Sequence, residues 1–309
     1  MDGISTSFGT VMLFQITIGI LLNVLLLVFY IRALCVSPGF SSLDLIFSHL
    51  TLANTMNLLT LGIPETLSAW GWRNFLSDVG CKFLMYGSRV GRGLAICAIC
   101  LLSVFQAVAV GPGTPRLARL KAGLPRGVVL SCLLSWGLSL LVDLSMASHV
   151  TGPRNGSSVK LVLDLRYCVK VSVGTETTLL IAVVFSFRDL FFVGLMSLAS
   201  GYMVFVLYRH HRRVRHLHGP GRSPGEMPEV RAAKRVVVLV AVYGLFYVRQ
   251  TIMLSIILNM KEKSPLLVNC HMVLAFTFPV VCPFLIIQSD RRISAIWKKE
   301  SPGSNVDFP

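Results

Sequence analysis

The chain has 309 residues, of which 54% are hydrophobic and only 14% charged, with a mean hydropathy of +0.70 and a net charge of +15. Soluble globular domains carry about a quarter charged residues, so this composition excludes one and points to a membrane protein. The positive charge needs no nucleic-acid partner, because the basic residues sort by side of a bilayer.

Apolar runs of the roughly 20 residues needed to cross a bilayer as a helix fall at about 9–34, 43–69, 78–110, 126–148, 177–209, 232–259 and 267–288. Backbone amides in hydrocarbon must be satisfied within a segment or in a closed barrel, and these runs lack the alternation of barrel strands. The expected fold is therefore an all-α membrane protein, a seven-transmembrane helix bundle spanning 1–309 as one domain. The polar start "MDGISTSFGT" is unlike a signal peptide, so the first helix is expected to act as its own insertion signal. Loops are short except 149–176 and 210–231, and 289–309 forms a tail.

With the N-terminus outside and the C-terminus cytoplasmic, the inner loops and tail hold 17 of the 29 Lys and Arg residues and the outer loops 7. This is the positive-inside pattern. The sequon Asn155-Gly156-Ser157 then lies outside, where glycosylation occurs. Of eight cysteines, six lie in or against helices, whereas Cys81 at the mouth of helix three and Cys168 in the long outer loop share the oxidising side.

The remaining five basic residues, Lys82, Arg89, Arg92, Arg188 and Arg249, enter the helices. Arg89 and Arg92 lie about 12 and 16 Å down helix three from Cys81 and, three residues apart, share a face. Ionisable groups at that depth face the bundle interior and are functional candidates by default. Their candidate counter-charges are Glu65, Asp143 and Asp189. Arg188 and Asp189, as helix neighbours, are expected on different faces; Tyr86, Ser88 and Phe185 are candidate cavity-lining groups. Ser197, Ala199, Ser200 and Gly201 are small enough to mark a helix–helix contact.

Enzymatic readings find no support. The histidines at 49, 149, 210, 211, 216, 218 and 271 show no catalytic or metal-ligand spacing, and "RHHRRVRHLH" reads as a basic exit from helix five meeting anionic lipid. Cys97 and Cys100 in an apolar helix read as packed thiols. No cofactor or metal is implied. A transporter would show repeated halves and interrupted helices at the midplane, and neither is evident in the sequence.

The order of features resembles G-protein-coupled receptors, and the strings "HLTLAN", "GIPET", "DVGCKFLMYGSRVGRG", "CLLSVFQA", "FRDLFFVGLMSLASGYMV", "AAKRVVVLV" and "FPVVCPF" resemble vomeronasal type-1 receptors over nearly the whole chain. A bitter-taste receptor fits the helix three and five strings less well. Asn23, Asn54, Cys81, Trp136, Cys168 and Pro283 match rhodopsin-like landmarks. Asn54 stands where an acidic residue is usual, and Phe105-Gln106-Ala107 stands in place of Asp-Arg-Tyr. Helix six has no proline, helix seven no Asn-Pro-x-x-Tyr, and "GPGTPRLARLK" and Leu22 also depart from the branch's pattern.

The resemblance implies a Cys81–Cys168 disulfide roofing the pocket, a small-molecule chemosignal bound between the outer helix halves, and coupling to a Gi/Go-class heterotrimer. It places the receptor in the plasma membrane of vomeronasal or olfactory sensory neurons. The candidate ligand-binding set is Glu65, Tyr86, Ser88, Arg89, Arg92, Phe185, Arg188 and Arg249. Gln106, Arg209, Arg212, Arg213 and Lys234 are expected to face the G protein, and Ser223 before Pro224 is a candidate phosphorylation site in that inner loop. Arg92, within the shared string "RVGRG", reads more as a staple between helices than as a ligand group, and Arg89 equally as either. Arg249 is peculiar to this chain. It is expected either to pair with Glu65 or Asp189 or to select acidic ligands.

Overall fold

The computed structural model describes residues 3–36, 41–111, 115–145, 150–152, 161–165, 167–171, 175–217, 228–260, 265–290 and 292–293. Its helices are α1 (Gly3–Val36), α2 (Ser42–Asn57), a π turn (Leu58–Gly62), α3 (Ile63–Ala69), α4 (Asp78–Val110), α5 (Pro115–Asp143), α6 (Thr175–Leu217), α7 (Pro228–Asn259), α8 (Pro265–Ala275) and α9 (Thr277–Ser289). Six spans are long and apolar enough to cross a bilayer, five as single helices and the sixth as α8 and α9 together. The seventh is the continuous run α2–π–α3, so the seven-helix expectation stands.

Helix ends follow local chemistry. Ser41 and Ser77 cap α2 and α4, their hydroxyls accepting from the backbone N–H of Asp44 (3.4 Å) and Gly80 (3.2 Å). Those orphan amides are the ones a capping side chain satisfies. α5 begins at Pro115, eleven residues before its apolar run, and α6 continues eight residues past its own, to Leu217. Proline suits the first helical position. Hydropathy marks only where side chains meet lipid, while helical hydrogen bonding continues into water.

Two spans are interrupted, which their apolar runs hid, and proline explains both. Pro64 has no N–H for the carbonyl four residues back, and the helix widens into the π turn just before it. Pro279 likewise forbids a regular turn after Ala275, and the chain breaks at Phe276 between α8 and α9. Four residues on, Pro283 leaves the carbonyl of Pro279 without a helical donor. Asn23 Nδ2 supplies one at 2.9 Å while also donating to Gly19 O at 2.7 Å, which ties α1 to α9. The string "FPVVCPF" is therefore a built irregularity with its partner on another helix.

α4 is the axis. Two thirds of its apolar window (67%) is buried, against 11% for α6, and it packs on α2, α5, α6 and α7. Gly91 permits the approach to α2, since a Cβ there would lie 3.1 Å from Ala53 O. Trp136 of α5 sits edge-on to His49 of α2, with centroids 5.9 Å apart. The run from Ser197 to Gly201 forms the expected helix contact only in part: Ala199 packs against the core and Ser200 is half-buried, whereas Ser197 and Gly201 are exposed. Apolar side chains such as Leu141, Phe187 and Leu198 also point outward, as a surface bathed in lipid requires.

At the outer end the long loop forms a small antiparallel sheet, β1 (Val150–Thr151), β2 (Leu161–Asp164) and β3 (Val169–Val171), in the order β1-β3-β2. Cys168, just before β3, is bonded to Cys81 in the first turn of α4. Gly152 follows β1, and its N–H donates to Asp78 Oδ1 at 3.1 Å. The sheet is thus fastened across the top of the bundle at two points.

Candidate functional site

Beneath that sheet lies a cavity of about 400 Å³. α4 turns Met85, Ser88, Arg89, Arg92 and Ala95 into it, at the three- and four-residue spacing of one helical face. Opposite stand Asn54, Asn57, Glu65 and Ser68 from the second span, Tyr243, Phe246, Tyr247 and Gln250 from α7, and Asn269, His271 and Met272 from α8. Leu165, beside the disulfide, closes the top. Aromatic and apolar side chains interleaved with convergent polar groups describe a small-molecule pocket.

Of the candidate ligand residues, Glu65, Ser88, Arg89 and Arg92 line this cavity, and Tyr86, Phe185, Arg188 and Arg249 do not. Tyr86 donates its hydroxyl to Leu140 O at 2.9 Å, joining α4 to α5. Arg188 is buried and donates from Nη1 to Asp143 Oδ2 at 2.8 Å and from Nε to Asp189 Oδ1 at 3.1 Å. The expectation that Arg188 and Asp189 diverge is therefore corrected, because the long guanidinium stem folds back along its own helix. Arg89 Nε lies 3.9 Å from Asp143 Oδ1, and its guanidinium lies 4.2 Å from the centre of the Phe185 ring. Two arginines and two aspartates thus form one charge-balanced network across α4, α5 and α6. Gly93 makes room for it, since a Cβ there would come within 3.2 Å of Arg188 Nη1.

Of the two arginines on α4, it is Arg92, read from sequence more as a staple, that departs from expectation, while Arg89 takes one of the two roles left open for it. Arg89 is the staple. Arg92 makes no hydrogen bond or ion pair with any described residue and opens into the cavity. Arg249 pairs with neither Glu65 nor Asp189. Its Nη2 donates to Leu274 O at 2.7 Å, a carbonyl freed by the break between α8 and α9. A cation at the last carbonyls of a helix satisfies them and suits the helix dipole.

Tyr167, Asn57, Gln250, Asn269 and His271 were missed from sequence. Tyr167 is buried next to Cys168, and its hydroxyl donates to Glu65 Oε1 at 2.7 Å. Burial first, and the Glu65 carboxylate second, hold this phenol well above its ordinary pKa, so it remains the donor. Asn269 and His271 are polar groups inside an apolar run, a signal the hydropathy count passes over.

At the inner end, Arg209, Arg212 and Lys234 are exposed, whereas Gln106 is buried because α4 is enclosed even there. The side chain of Arg213, the residues Asn155, Ser223 and Pro224, and most of the tail lie outside the described residues. A cluster not foreseen from sequence closes this end. Arg292 grips the Asp44 carboxylate with both terminal guanidinium nitrogens, Nη1 at 3.1 Å from Oδ2 and Nη2 on Oδ1, and Nη2 also reaches Asp290 Oδ2 at 2.9 Å. Those bonds, to Asp44 first, raise its already high pKa. Tyr30 donates to Asp290 Oδ2 at 3.3 Å, so α1, α2 and the end of α9 meet here.

The sequence matches the family model described as the vomeronasal organ pheromone receptor family over residues 6–299. It is 37% identical over 305 residues to human (Homo sapiens) vomeronasal type-1 receptor 3, covering 98% of this chain and 97% of that one. It is 34% identical over 296 residues to olfactory receptor class A-like protein 1 of Danio rerio, covering 96% and 93%. Among solved structures, squid rhodopsin superposes with a TM-score of 0.75 at 14% identity, covering 98% of this chain and 86% of that one, a likeness of fold.

Proposed function

The chain belongs to the vomeronasal organ pheromone receptor family, and from that premise we propose that it detects small organic chemosignals, pheromones among them, and signals through a Gi/Go-class heterotrimer. Family and fold make it a G-protein-coupled chemosensory receptor, a multi-pass plasma-membrane protein and not an enzyme. The observation that supports the ligand reading is the cavity of about 400 Å³ under the Cys81–Cys168 strap, large enough for a small organic molecule.

In this reading Glu65, Ser88, Arg89 and Arg92 touch the ligand, while Tyr86, Phe185, Arg188 and Arg249 hold the walls. Arg209, Arg212 and Lys234 form the exposed basic inner rim that meets the G protein, and Arg213 is assigned to the same contact by its place in the sequence. Vomeronasal or olfactory sensory neurons are the proposed site of expression, to be read by messenger localisation in the olfactory lining. The functional test is a cAMP reporter in cells expressing the receptor, challenged with a panel of volatile and steroid-like compounds. A ligand-dependent fall in cAMP that pertussis toxin abolishes is expected. A response that survives the toxin would overturn the Gi/Go assignment, and silence across the panel in surface-positive cells would count against the ligand class.

A further inference from the structure

We propose that the cavity is built for an organic anion, with Arg92 as the counter-ion of the ligand's acid group. This rests on the reading of the cavity as the ligand site. Arg92 is the cation in the wall that pairs with no acid among the described residues. Arg89 beside it is absorbed by Asp143, which Arg188 and Asp189 complete into a neutral set. Glu65, the one acid among the described lining residues, receives the Tyr167 hydroxyl and forms no ion pair with Arg92. Depth separates the two: Gly91 packs on Ala53 and Asn57, which sets Arg92 at the level of Asn57, eight residues or about 12 Å along the helix from Glu65.

Arg92, half-buried in a site walled by Phe246, Tyr247, Tyr243 and Met85, has given up part of its hydration, which an anion or hydrogen-bond acceptors would replace. His271 adds a second unsatisfied polar group, since its buried Nδ1 has no hydrogen-bond partner. The occupant that fits is an amphiphile with one carboxylate or sulfonate near Arg92 and an apolar body lying up the aromatic walls toward Leu165. The planar guanidinium fork suits such two-oxygen groups.

The test uses the purified full-length receptor in detergent and matched probes of one shape: naphthalene-2-sulfonate against naphthalene-2-sulfonamide, and 2-naphthoate against its methyl ester. Affinities are read from ligand-induced thermal stabilisation. The anions should bind at least about ten-fold more tightly than their neutral partners, as a charge-assisted contact implies. Arg92→Gln should erase that difference, and Arg92→Lys should keep part of it. Arg92→Gln breaks no hydrogen bond among the described residues, and the wild-type comparison stands without any variant. Equal binding of anion and neutral partner, unchanged by Arg92→Gln, overturns the counter-ion role and leaves the cavity as the ligand site. Binding of neither probe, or binding unaffected when Ala95→Phe fills the cavity, overturns both.

Discussion

Changing Asp143 to Asn should unfold the receptor at a markedly lower temperature. Its carboxylate is fully buried, Arg188 is 5% exposed at the side chain, and the two are 2.8 Å apart. Removing one partner of a buried pair costs about 3–5 kcal/mol, because the other charge stays desolvated without its mate. Asn keeps the shape and one acceptor, and Arg188 keeps Asp189 at 3.1 Å, so the lower end, about 3 kcal/mol, is expected. At roughly 2 °C per kcal/mol for a chain of this size, the midpoint falls by about 6 °C. A fluorogenic maleimide can report it, since Cys97, Cys100, Cys132 and Cys282 are buried free thiols that react on unfolding. Asp143→Asn with Arg188→Gln should recover more than half of the loss, because replacing a whole buried pair by neutral groups is often near neutral. A single variant within about 1 °C of wild type, or a double variant whose losses simply add, would refute the network.

Cys81→Ser and Cys168→Ser should each lower surface expression to a similar degree, and the double change should be no worse; a silent Cys168→Ser would contradict the bond between them. Asn155 should carry glycan, so glycosidase treatment should speed the band on a gel, and an unchanged mobility from glycosylating cells would place the loop inside or leave the site unused. Arg249→Gln should lower stability by about 1–3 kcal/mol through the orphaned Leu274 carbonyl, while the ratio of acidic to neutral ligand affinity stays put. A changed ratio would restore Arg249 as a selector.

The seven spans were legible because hydropathy reports the hydrocarbon layer, and five of them coincide with unbroken helices. The interruptions were legible only in Pro64 and Pro279, single residues within runs whose mean hydropathy stays high. Which arginine would be neutralised was not legible at all. Arg89 and Arg92 share a helix face and a motif, and what separates them is the approach of Asp143, an acid more than fifty positions away whose depth no local pattern sets. The acid partner expected for Arg249 failed for the same reason: its Nη2 meets the Leu274 carbonyl at the break between α8 and α9, and carbonyls leave no mark on a residue count.

The clamp at the inner end sets a limit on how the C-terminus can be handled. Arg292 is the last basic residue gripping Asp44, and Ile293 after it is buried in the main core. Affinity tags, fluorescent proteins or truncations belong beyond Ile293. A fusion made a few residues earlier, at the visible end of α9, would leave Asp44 buried without its cation and would weaken the very face on which a signalling readout depends.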